Sequence, residues 1–439
     1  MRVVDIIAKK RDKQPLSDSE IQWFVENYTS GTIPDYQAAS LLMAIYLNGM
    51  EKHETVALTM AMAQSGDLLD LSGITDYTID KHSSGGVGDK TSLVVLPLVA
   101  SFDVPIAKMS GRGLGHSGGT LDKIETFPGY NVNLDEETFL RLARETGLVL
   151  AGQTRDLAPA DGKLYALRDV TGTVASLPLI ASSIMSKKIA AGANGIVLDV
   201  KAGNGAFMHD VESARELAQM MVDIGVSIGR DMVAVISDMN QPLGHAVGNA
   251  IETIEAIETL RGGGPKDFRE HCVEIAHLML KLAGRGTRWT ERETVRDEII
   301  NHLDDGRALS RFRKMIEAQG GDPTYVDDLS KMPKASIIHE IVAEETGYIQ
   351  QVRADAIASA ALALGAGREK KDQKIDLAVG VIVNVKVGNK INKGEHVAVI
   401  HANHEEKLKE AIQFVKQAIT YSNKPVDTLP LFYDTIYGQ

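Results

Sequence analysis

Apolar residues recur at three- and four-residue intervals through roughly the first 65 positions, the spacing of amphipathic helices. Ser17 and Glu20 form a capping-box pattern ahead of the first apolar stripe. Pro34 opens a second helix, and a third is predicted over residues 52–64, just before Gly66. The N-terminal pattern therefore predicts a small helical domain.

From about residue 77 onward, short apolar runs alternate with glycine-containing turns and helices. Strands are predicted over residues 78–80, 104–109, 149–151, 196–200 and 232–237, and helices over residues 91–101, 136–146 and 212–228. This alternation favours an α/β domain with a mostly parallel sheet. Two successive helices, predicted over residues 163–170 and 178–193, interrupt it. We expect them to return to the helical domain and make it discontinuous.

The pattern changes again beyond about residue 320. Strands are predicted over residues 336–342, 347–353, 377–387 and 395–400, and helices over residues 354–364 and 405–418. The expected fold class is α/β, with a discontinuous N-terminal helical domain, a central α/β domain and a C-terminal α+β domain. The expected boundaries are residues 1–70 and 163–193, then 75–155 and 195–320, then 330–439.

The composition narrows the class of protein. The net charge of −12 argues against nucleic-acid binding, which usually requires a basic surplus. The single cysteine, Cys272, excludes a disulfide within the chain. No apolar run approaches the roughly 20 residues of a membrane span, and no secretion signal is visible. We expect a cytoplasmic enzyme with small-molecule substrates and no membrane partner.

The first glycine-rich loop, residues 81–92, lies between a predicted strand and a predicted helix. A helix N-terminus after such a turn offers N–H donors to an anion, and Lys81, Ser83 and Ser92 add a charge and two hydroxyls. An ordinary strand-to-helix turn is the alternative. The loop is not a nucleotide P-loop, because Asp89 precedes Lys90 where that pattern needs glycine.

The second glycine-rich loop, residues 110–125, has five glycines in sixteen positions. Gly113, Gly115 and Gly118 match the spacing of a dinucleotide fingerprint. The helix that follows is cut short by Pro128, so a phosphate-only role fits better. A third candidate pairs Ser183 with Lys187, four residues apart on one helix face, a pattern that a solvated surface also produces.

Residues 110–125 resemble the signature of the thymidine and pyrimidine-nucleoside phosphorylase family, Ser-Gly-Arg-Gly-x-x-x-x-Gly-Gly-Thr-x-Asp-x-x-Glu. The first loop, and Arg168 with Ser183 and Lys187, fall at that family's spacings. The resemblance covers essentially the whole chain. It implies reversible phosphorolysis of pyrimidine nucleosides (uridine, thymidine, deoxyuridine) to free base and α-D-ribose or 2-deoxyribose 1-phosphate, in pyrimidine salvage or catabolism.

The resemblance also implies roles for individual residues. The implied catalytic residues are His82, Arg168 and Lys187. The base would be bound by Arg168, Ser183, Lys187, His82 and Leu114. The phosphate would be bound by Lys81, His82, Ser83, Ser92, Lys108, Met109, Ser110 and Thr120. Thymidine-specific members carry Met at the position of Lys108, so Lys108 favours the branch of broad specificity.

Inorganic phosphate is the implied co-substrate, with no organic cofactor. A potassium ion is implied at Gly88, Lys90, Leu243, Ala246 and Glu255, mostly through backbone carbonyls. The resemblance further implies a homodimer formed through the helical domain. Domain closure is expected around the glycine-containing connectors at residues 66–76, 152–162 and 192–195.

Two alternatives remain at this point. An enzyme resembling anthranilate phosphoribosyltransferase would share the fold but would need an acidic Mg²⁺-binding pair at the sheet edge. The pairs Asp135–Glu136 and Asp297–Glu298 instead have the pattern of helix-start or helix-surface charges. The second alternative is a non-catalytic nucleoside-binding regulator, which would have no need for the complete set of phosphate and base residues.

Overall fold

A computed structural model describes residues 1–113, 118–154, 156–368, 370 and 373–438. The chain begins with four helices, α1 (Val3–Arg11), α2 (Asp18–Thr29), α3 (Asp35–Asn48) and α4 (Lys52–Ala63). The predicted capping box is present, since the Glu20 N–H donates to Ser17 Oγ at 3.3 Å and the Ser17 N–H to Glu20 Oε2 at 2.7 Å. None of the described helices has the length and apolarity needed to span a membrane.

The chain then enters the α/β region through β1 (Ile79–Ser83), α5 (Thr91–Ala100), β2 (Ile106–Ser110), α6 (Thr120–Ile124), α7 (Glu136–Thr146) and β3 (Leu148–Gly152). Strands β2 and β3 pair in parallel. Next follow α8 (Pro159–Thr171) and α9 (Leu177–Ala190). Residues of both helices join the apolar core formed by α1–α4, so the predicted return to the helical region is observed.

The second part of the α/β region contains β4 (Gly195–Ala202), α10 (Val211–Ser227), β5 (Asp231–Asp238), β6 (Ala246–Gly248), α11 (Ala250–Leu260), α12 (Lys266–Ala283), α13 (Arg292–Asp304), α14 (Arg307–Ala318) and α15 (Thr324–Asp327). Strands β1, β4 and β5 are parallel neighbours. All eight residues of β4 are buried, as expected for a central strand covered by helices on both faces. The carboxyl ends of β1 and β2 carry the two glycine-rich loops.

The C-terminal region consists of β7 (Ile337–Val342), β8 (Gly347–Val352), α16 (Ala354–Leu364), β9 (Gly380–Val383), β10 (Lys390–Ile391), β11 (His396–Ala402), α17 (Glu405–Ala418), β12 (Ile419–Ser422) and β13 (Phe432–Tyr437). It forms two antiparallel sheets, in the orders β6-β9-β11-β7 and β10-β8-β12. The predicted fold class, with helical, α/β and α+β regions, is therefore confirmed.

The expected domain boundary at residues 320–330 does not separate the sheets of the two regions. Strand β13 pairs antiparallel with β5 and completes the central sheet in the order β1-β4-β5-β13. Conversely, β6 of the α/β region pairs antiparallel with β9 of the C-terminal region. Each region thus contributes a strand to the other. Local sequence could not reveal this exchange, because both short segments become strands only by pairing with a distant edge.

Candidate active site

Lys81 is a buried cation without a hydrogen-bond partner among the described residues. It lies on β1, and its Nζ is 3.9 Å from Asp199 Oδ2 and 4.0 Å from Asp89 Oδ1. Both distances exceed those of a hydrogen bond. Because a buried ammonium group normally has its donors satisfied, the geometry leaves a position for an anionic acceptor.

The two carboxylates beside Lys81 are held by other partners. Asp199 accepts hydrogen bonds from Ser237 Oγ at 2.6 Å and His271 Nε2 at 2.8 Å, and it pairs with Lys201 Nζ at 2.7 Å. Burial raises the pKa of Asp199, but the charges of Lys201 and His271 outweigh that effect and lower the pKa well below its usual value. Asp89 accepts a hydrogen bond from Ser83 Oγ. Burial raises the pKa of Asp89, but the charges of Lys81 and Lys201 outweigh that effect and lower it well below its usual value. The Lys81 N–H groups nevertheless have no hydrogen-bond acceptor within the described residues and can donate to a further anion.

Lys123 joins the two glycine-rich loops. Its buried Nζ is 3.0 Å from the carbonyl oxygen of Asp89 in the first loop and 3.4 Å from that of Gly118 in the second. Lys108 links the strands that precede these loops, because its Nζ on β2 donates to the Lys81 carbonyl oxygen on β1 at 2.6 Å. The predicted phosphate residues therefore come from two loops that are physically linked.

The charged residues of the second loop brace it. Asp122 accepts from the Gly113 N–H at 2.7 Å and from Arg112 Nη1 at 3.3 Å, and it pairs with Arg368 at 2.8 Å. Arg112 also binds Glu125 through two nitrogens. Helix α6 ends at Ile124, as Pro128 had indicated. The predicted base residue Leu114 lies outside the described residues.

The remaining predicted phosphate residues lie around the two loops. Ser92 is in the first turn of α5, Ser110 ends β2, and Thr120 is the first residue of α6. Met109 is buried in β2 and contributes its carbonyl oxygen, 3.4 Å from Lys188 Nζ. Their placement at the ends of elements is the arrangement by which loop hydroxyls reach a bound anion.

Asp80 lies at the centre of a buried charge cluster that the sequence analysis missed. Its two carboxylate oxygens pair with Lys108 Nζ at 3.1 Å and Lys188 Nζ at 2.8 Å. Burial raises the pKa of Asp80, but Lys108 and Lys188 outweigh that effect and lower it to about 2. Burial lowers the pKa of Lys108 well below its usual value, with Asp80 opposing and Lys188 adding to the shift.

His82 is half-buried on β1, next to Lys81. Burial lowers the pKa of His82 well below its usual value, and Lys188 and Lys108 lower it further. Its imidazole is therefore neutral near pH 7. In that form, one ring nitrogen donates a hydrogen bond and the other accepts one.

Ser183 and Lys187 share one face of α9, as predicted. Lys187 Nζ donates to Ser183 Oγ at 3.0 Å and to Asp161 Oδ2 at 2.5 Å. The other oxygen of Asp161, Oδ1, is buried and has no hydrogen-bond partner among the described residues. Asp161 precedes Arg168 by seven positions, two turns on α8, and that spacing was the signal by which it could have been found.

Arg168 is buried, and its guanidinium faces the backbone between α8 and α9. It donates to the carbonyl oxygens of Val174 at 2.7 Å, Leu179 at 2.9 Å and Thr173 at 3.4 Å. Arg168 therefore holds the connection between the helices that carry Asp161 and Lys187. Three of the five predicted base residues, Arg168, Ser183 and Lys187, lie on the adjacent helices α8 and α9, and Arg168 is engaged by backbone carbonyls.

The residues implied as potassium ligands do not fit a potassium ion. The ammonium of Lys90 lies among them and donates to the carbonyl oxygens of Leu243 at 2.9 Å and Ala246 at 3.1 Å and to Glu255 Oε1 at 2.5 Å. Burial lowers the pKa of Lys90, but Glu255 and Glu252 outweigh it and raise the pKa above its usual value, so the group is charged. Within the described ranges, no cluster of three or more His, Cys, Asp or Glu side chains is arranged to hold a metal.

Family models match most of the chain. They describe the helical bundle domain of a glycosyl transferase family at residues 4–66, the a/b domain of the same family at residues 75–309, and a pyrimidine nucleoside phosphorylase C-terminal domain at residues 348–422. The fold and the site thus define a glycosyltransferase-family enzyme.

Curated relatives narrow the family. Pyrimidine-nucleoside phosphorylase of Geobacillus stearothermophilus is 52% identical over 99% of this chain and all of its own length. Pyrimidine-nucleoside phosphorylase of Staphylococcus aureus strain N315 is 51% identical over 97% of this chain and 98% of its own. The chain belongs to the pyrimidine-nucleoside phosphorylase family.

Among solved structures, anthranilate phosphoribosyltransferase from Thermus thermophilus has the same fold. Its TM-score is 0.59 at 18% identity, covering 71% of this chain and 98% of its own. The acidic pairs weighed for that chemistry have structural roles here. Asp135 caps α7 by accepting from the Thr138 N–H at 2.7 Å, and Asp297 and Glu298 are exposed on α13.

Proposed function

We propose that this protein catalyses the reversible phosphorolysis of pyrimidine nucleosides, releasing the free base and α-D-ribose or 2-deoxyribose 1-phosphate. The observation that carries the proposal is the buried ammonium of Lys81, which has no hydrogen-bond partner in the described part of the chain and lies beside two linked glycine-rich loops. A built position for an anion next to helices bearing Lys187 and Arg168 suits a reaction between phosphate and a nucleoside. The names of the curated relatives point to the same reaction.

Phosphate is the nucleophile in this proposal. Its oxygens would accept hydrogen bonds from the Lys81 ammonium and from the hydroxyls at the loop ends. Holding the dianion against the sugar aligns it for attack at the anomeric carbon and converts a bimolecular step into an effectively unimolecular one. The proposed phosphate residues are Lys81, His82, Ser83, Ser92, Lys108, Met109, Ser110 and Thr120.

The pyrimidine leaves as an anion, so catalysis must stabilise charge that develops on the base. Lys187 is suited to this role, because its half-buried ammonium is held in place by Ser183 and Asp161. Arg168 would contact the base by exchanging some of its backbone carbonyl partners for it. Interactions that strengthen as the charge develops accelerate the chemical step. Leu114 and Ser183 complete the proposed base site.

His82 would lie between phosphate and base. Because its pKa is lowered, the neutral imidazole donates a hydrogen bond to a base carbonyl and does not deliver a full proton from the resting enzyme. A phosphate dianion bound nearby would raise that pKa. His82 thus contributes to stabilising the departing base by polarising its carbonyl.

We propose domain bounds of residues 1–70 and 163–193, 75–155 and 195–320, and 330 onward, with β13 returning to the central sheet. The connector glycines support a hinge between the first two. Gly192 has φ +86°, and a Cβ there would lie 2.4 Å from the Leu69 carbonyl oxygen. Glycine is the one residue that fits this crossing without strain.

We also propose a cytoplasmic homodimer formed through the helical region. Helix α3 exposes Tyr36, Met43 and Leu47 on one face, with Val4 of α1 and Val170 of α8 also exposed. Large apolar side chains repeating at seven- and four-residue intervals on a solvent face mark a protein contact surface. The single buried cysteine, Cys272, suits a reducing compartment.

The deciding experiment measures release of uracil from uridine by the purified protein, with and without inorganic phosphate and in the absence of Mg²⁺. We expect phosphate-dependent release of uracil together with ribose 1-phosphate. Failure to release base, or a requirement for Mg²⁺ and pyrophosphate, contradicts the proposal. Nucleoside binding without turnover would indicate the non-catalytic regulator.

A further inference from the structure

We propose that the side chain of Lys90 takes the place of a bound monovalent cation, so that this protein requires no potassium ion. Three of the five residues implied as potassium ligands by family resemblance, Leu243, Ala246 and Glu255, are assembled around one point. That point is occupied by the chain's own ammonium group, which carries the same single positive charge. The site is structural, and its occupancy does not depend on the substrate of the reaction.

The ammonium of Lys90 uses all of its donors on this set. It has three N–H groups, and it donates to the carbonyl oxygens of Leu243 and Ala246 and to the Glu255 carboxylate, at 2.9, 3.1 and 2.5 Å. Backbone carbonyls arranged in this way are the oxygens that replace the hydration shell of a potassium ion. Here the carbonyl oxygens of Leu243 and Ala246 accept hydrogen bonds from the Lys90 ammonium instead.

The site has no open side. The Lys90 side chain is fully buried, and its Nζ lies 4.9 Å from the centroid of the Phe268 ring, which covers the ammonium with an aromatic face. Gly244 closes a further direction, since a Cβ there would lie 2.9 Å from Lys90 Nζ. A potassium ion could enter only by displacing the ammonium.

The charges around the loop already balance. Lys386, from the segment after β9, donates to the carbonyl oxygens of Pro242 and Gly244 at 2.5 and 2.6 Å and pairs with Asp267 at 2.7 Å. Two lysines thus face two carboxylates, Asp267 and Glu255, and the third carboxylate nearby, Glu252, pairs with Lys123 at 2.8 Å. A further cation would place an unbalanced positive charge next to Lys90, where like charges in a buried site repel strongly.

The replacement has a consequence for the first glycine-rich loop. The Leu243 N–H donates to the Val87 carbonyl at 3.0 Å, and a Cβ on Gly88 would lie 2.6 Å from the Leu243 carbonyl oxygen. Lys90 therefore fastens the loop that begins α5 to the segment preceding β6. A covalently attached cation fixes that contact whatever salt surrounds the protein.

The first test uses the unmodified protein, dialysed into tetramethylammonium chloride and then titrated with potassium chloride at constant ionic strength. We expect the same unfolding temperature and the same kcat/KM throughout, and well under one potassium per chain by elemental analysis. A saturable, potassium-specific rise in unfolding temperature, or one retained potassium per chain, overturns the proposal. Because this test needs no variant, it decides the matter even if a substitution prevents folding.

The second test is Lys90→Ala, which frees the carbonyls of Leu243 and Ala246 and the Glu255 carboxylate. We expect a lower unfolding temperature in tetramethylammonium chloride that potassium restores by several degrees with saturation. A folded variant whose unfolding temperature does not change with potassium overturns the proposal. Lys10→Ala is the matched control, since Lys10 is equally buried but bonds only Glu54, at 2.8 Å to both oxygens. An equal rescue of that variant by potassium would also overturn it.

Discussion

Lys188 Nζ lies 2.8 Å from Asp80 Oδ2, so an ion pair between two buried side chains fastens α9 to β1. Helix α9 carries Ser183 and Lys187, and β1 carries Lys81 and His82. Lys187 and Lys188 are neighbours in sequence, yet one bonds Asp161 within the helical region and the other reaches the central sheet. The proposed base and phosphate residues are therefore positioned by a shared electrostatic contact.

Replacing Asp80 with Asn tests that contact through pH. The pKa of Asp80 is about 2, below its usual 3.8, so its charge stabilises the folded state above about pH 4, and this contribution is lost as pH falls through about 2. We expect Asp80→Asn to be less stable than the parent at neutral pH, by about 2 kcal/mol or more. The difference should shrink between about pH 4 and about pH 2.

Urea unfolding midpoints across that pH range give the measurement. Asp169→Asn, on the exposed side of α8, is the control and should follow the parent curve. A stability difference that does not depend on pH would contradict the assignment of charge to Asp80.

Lys81→Met separates binding from stability. Lys81 makes no hydrogen bond within the described residues, but its charge lies 4.0 Å from the buried Asp89 carboxylate, so we expect a folded variant with a slightly lower unfolding temperature than the parent. The phosphate site loses its buried charge, and kcat/KM for phosphate should fall about 10²- to 10³-fold.

Lys201→Met is the contrast, because Lys201 pairs with Asp199 at 2.7 Å and its loss leaves a buried carboxylate short of a partner. That variant should be clearly destabilised. Retained phosphate dependence in Lys81→Met would remove Lys81 from the proposed phosphate site.

Lys187→Ala should abolish turnover in a variant that still folds, with a modest loss of stability because the buried Asp161 carboxylate loses its partner. Asp161→Asn keeps the shape but weakens the charge that positions Lys187, so we expect a smaller fall in kcat with little change in KM for phosphate. Steady-state kinetics with uridine and circular dichroism provide the two readouts.

Lys163→Ala is the matched control on α8. Lys163 bonds the Tyr28 carbonyl at 2.6 Å, away from Lys187, so its loss should leave kcat unchanged. Unchanged activity in Lys187→Ala would rule out the proposed base site.

The identity of residue 108 is expected to influence the choice of sugar. We expect kcat/KM values of the same order for uridine, thymidine and 2′-deoxyuridine in the parent protein. Lys108→Met removes the contacts to Asp80 and to the Lys81 carbonyl, and it should lower the ratio for uridine relative to thymidine. An unchanged ratio of kcat/KM for uridine to that for thymidine would show that Lys108 does not determine sugar specificity.

Leu47→Asp tests the proposed dimer surface. A carboxylate placed on the exposed apolar face of α3 should convert the dimer to a monomer in size-exclusion chromatography with light scattering. Phe207→Asp changes an equally exposed apolar residue in the α/β region and should leave the oligomeric state alone. A parent protein that is already monomeric refutes the proposed homodimer.

The regular helices were predictable because their periodicity is local. Helices α7, α16 and α17 have the bounds that the sequence pattern predicts. Strand β13 was missed, since its segment becomes a strand only against β5. The two loops follow β1 and β2, and Ser183 and Lys187 share one face of α9, but the contacts that hold these residues were not predicted.

Those contacts depend on the direction in which each side chain leaves the backbone. Lys90 was assigned as a potassium ligand, yet its side chain supplies the cation itself. Lys188 received no role because Lys187 filled the predicted one, although adjacent residues on a helix point about 100° apart. Directions of this kind follow from tertiary packing and leave little trace in spacing.

The exchange of strands between regions constrains how the molecule can assemble. Tyr433 of β13 donates to Asp238 of β5 at 2.7 Å, across 195 positions of sequence. During synthesis the chain folds from its N-terminus, so the edge of β5 stays uncovered until β13 has left the ribosome. An open parallel-sheet edge is a template for pairing with another chain. The nascent protein is therefore prone to aggregation at the edge of β5 until β13 has paired with that strand.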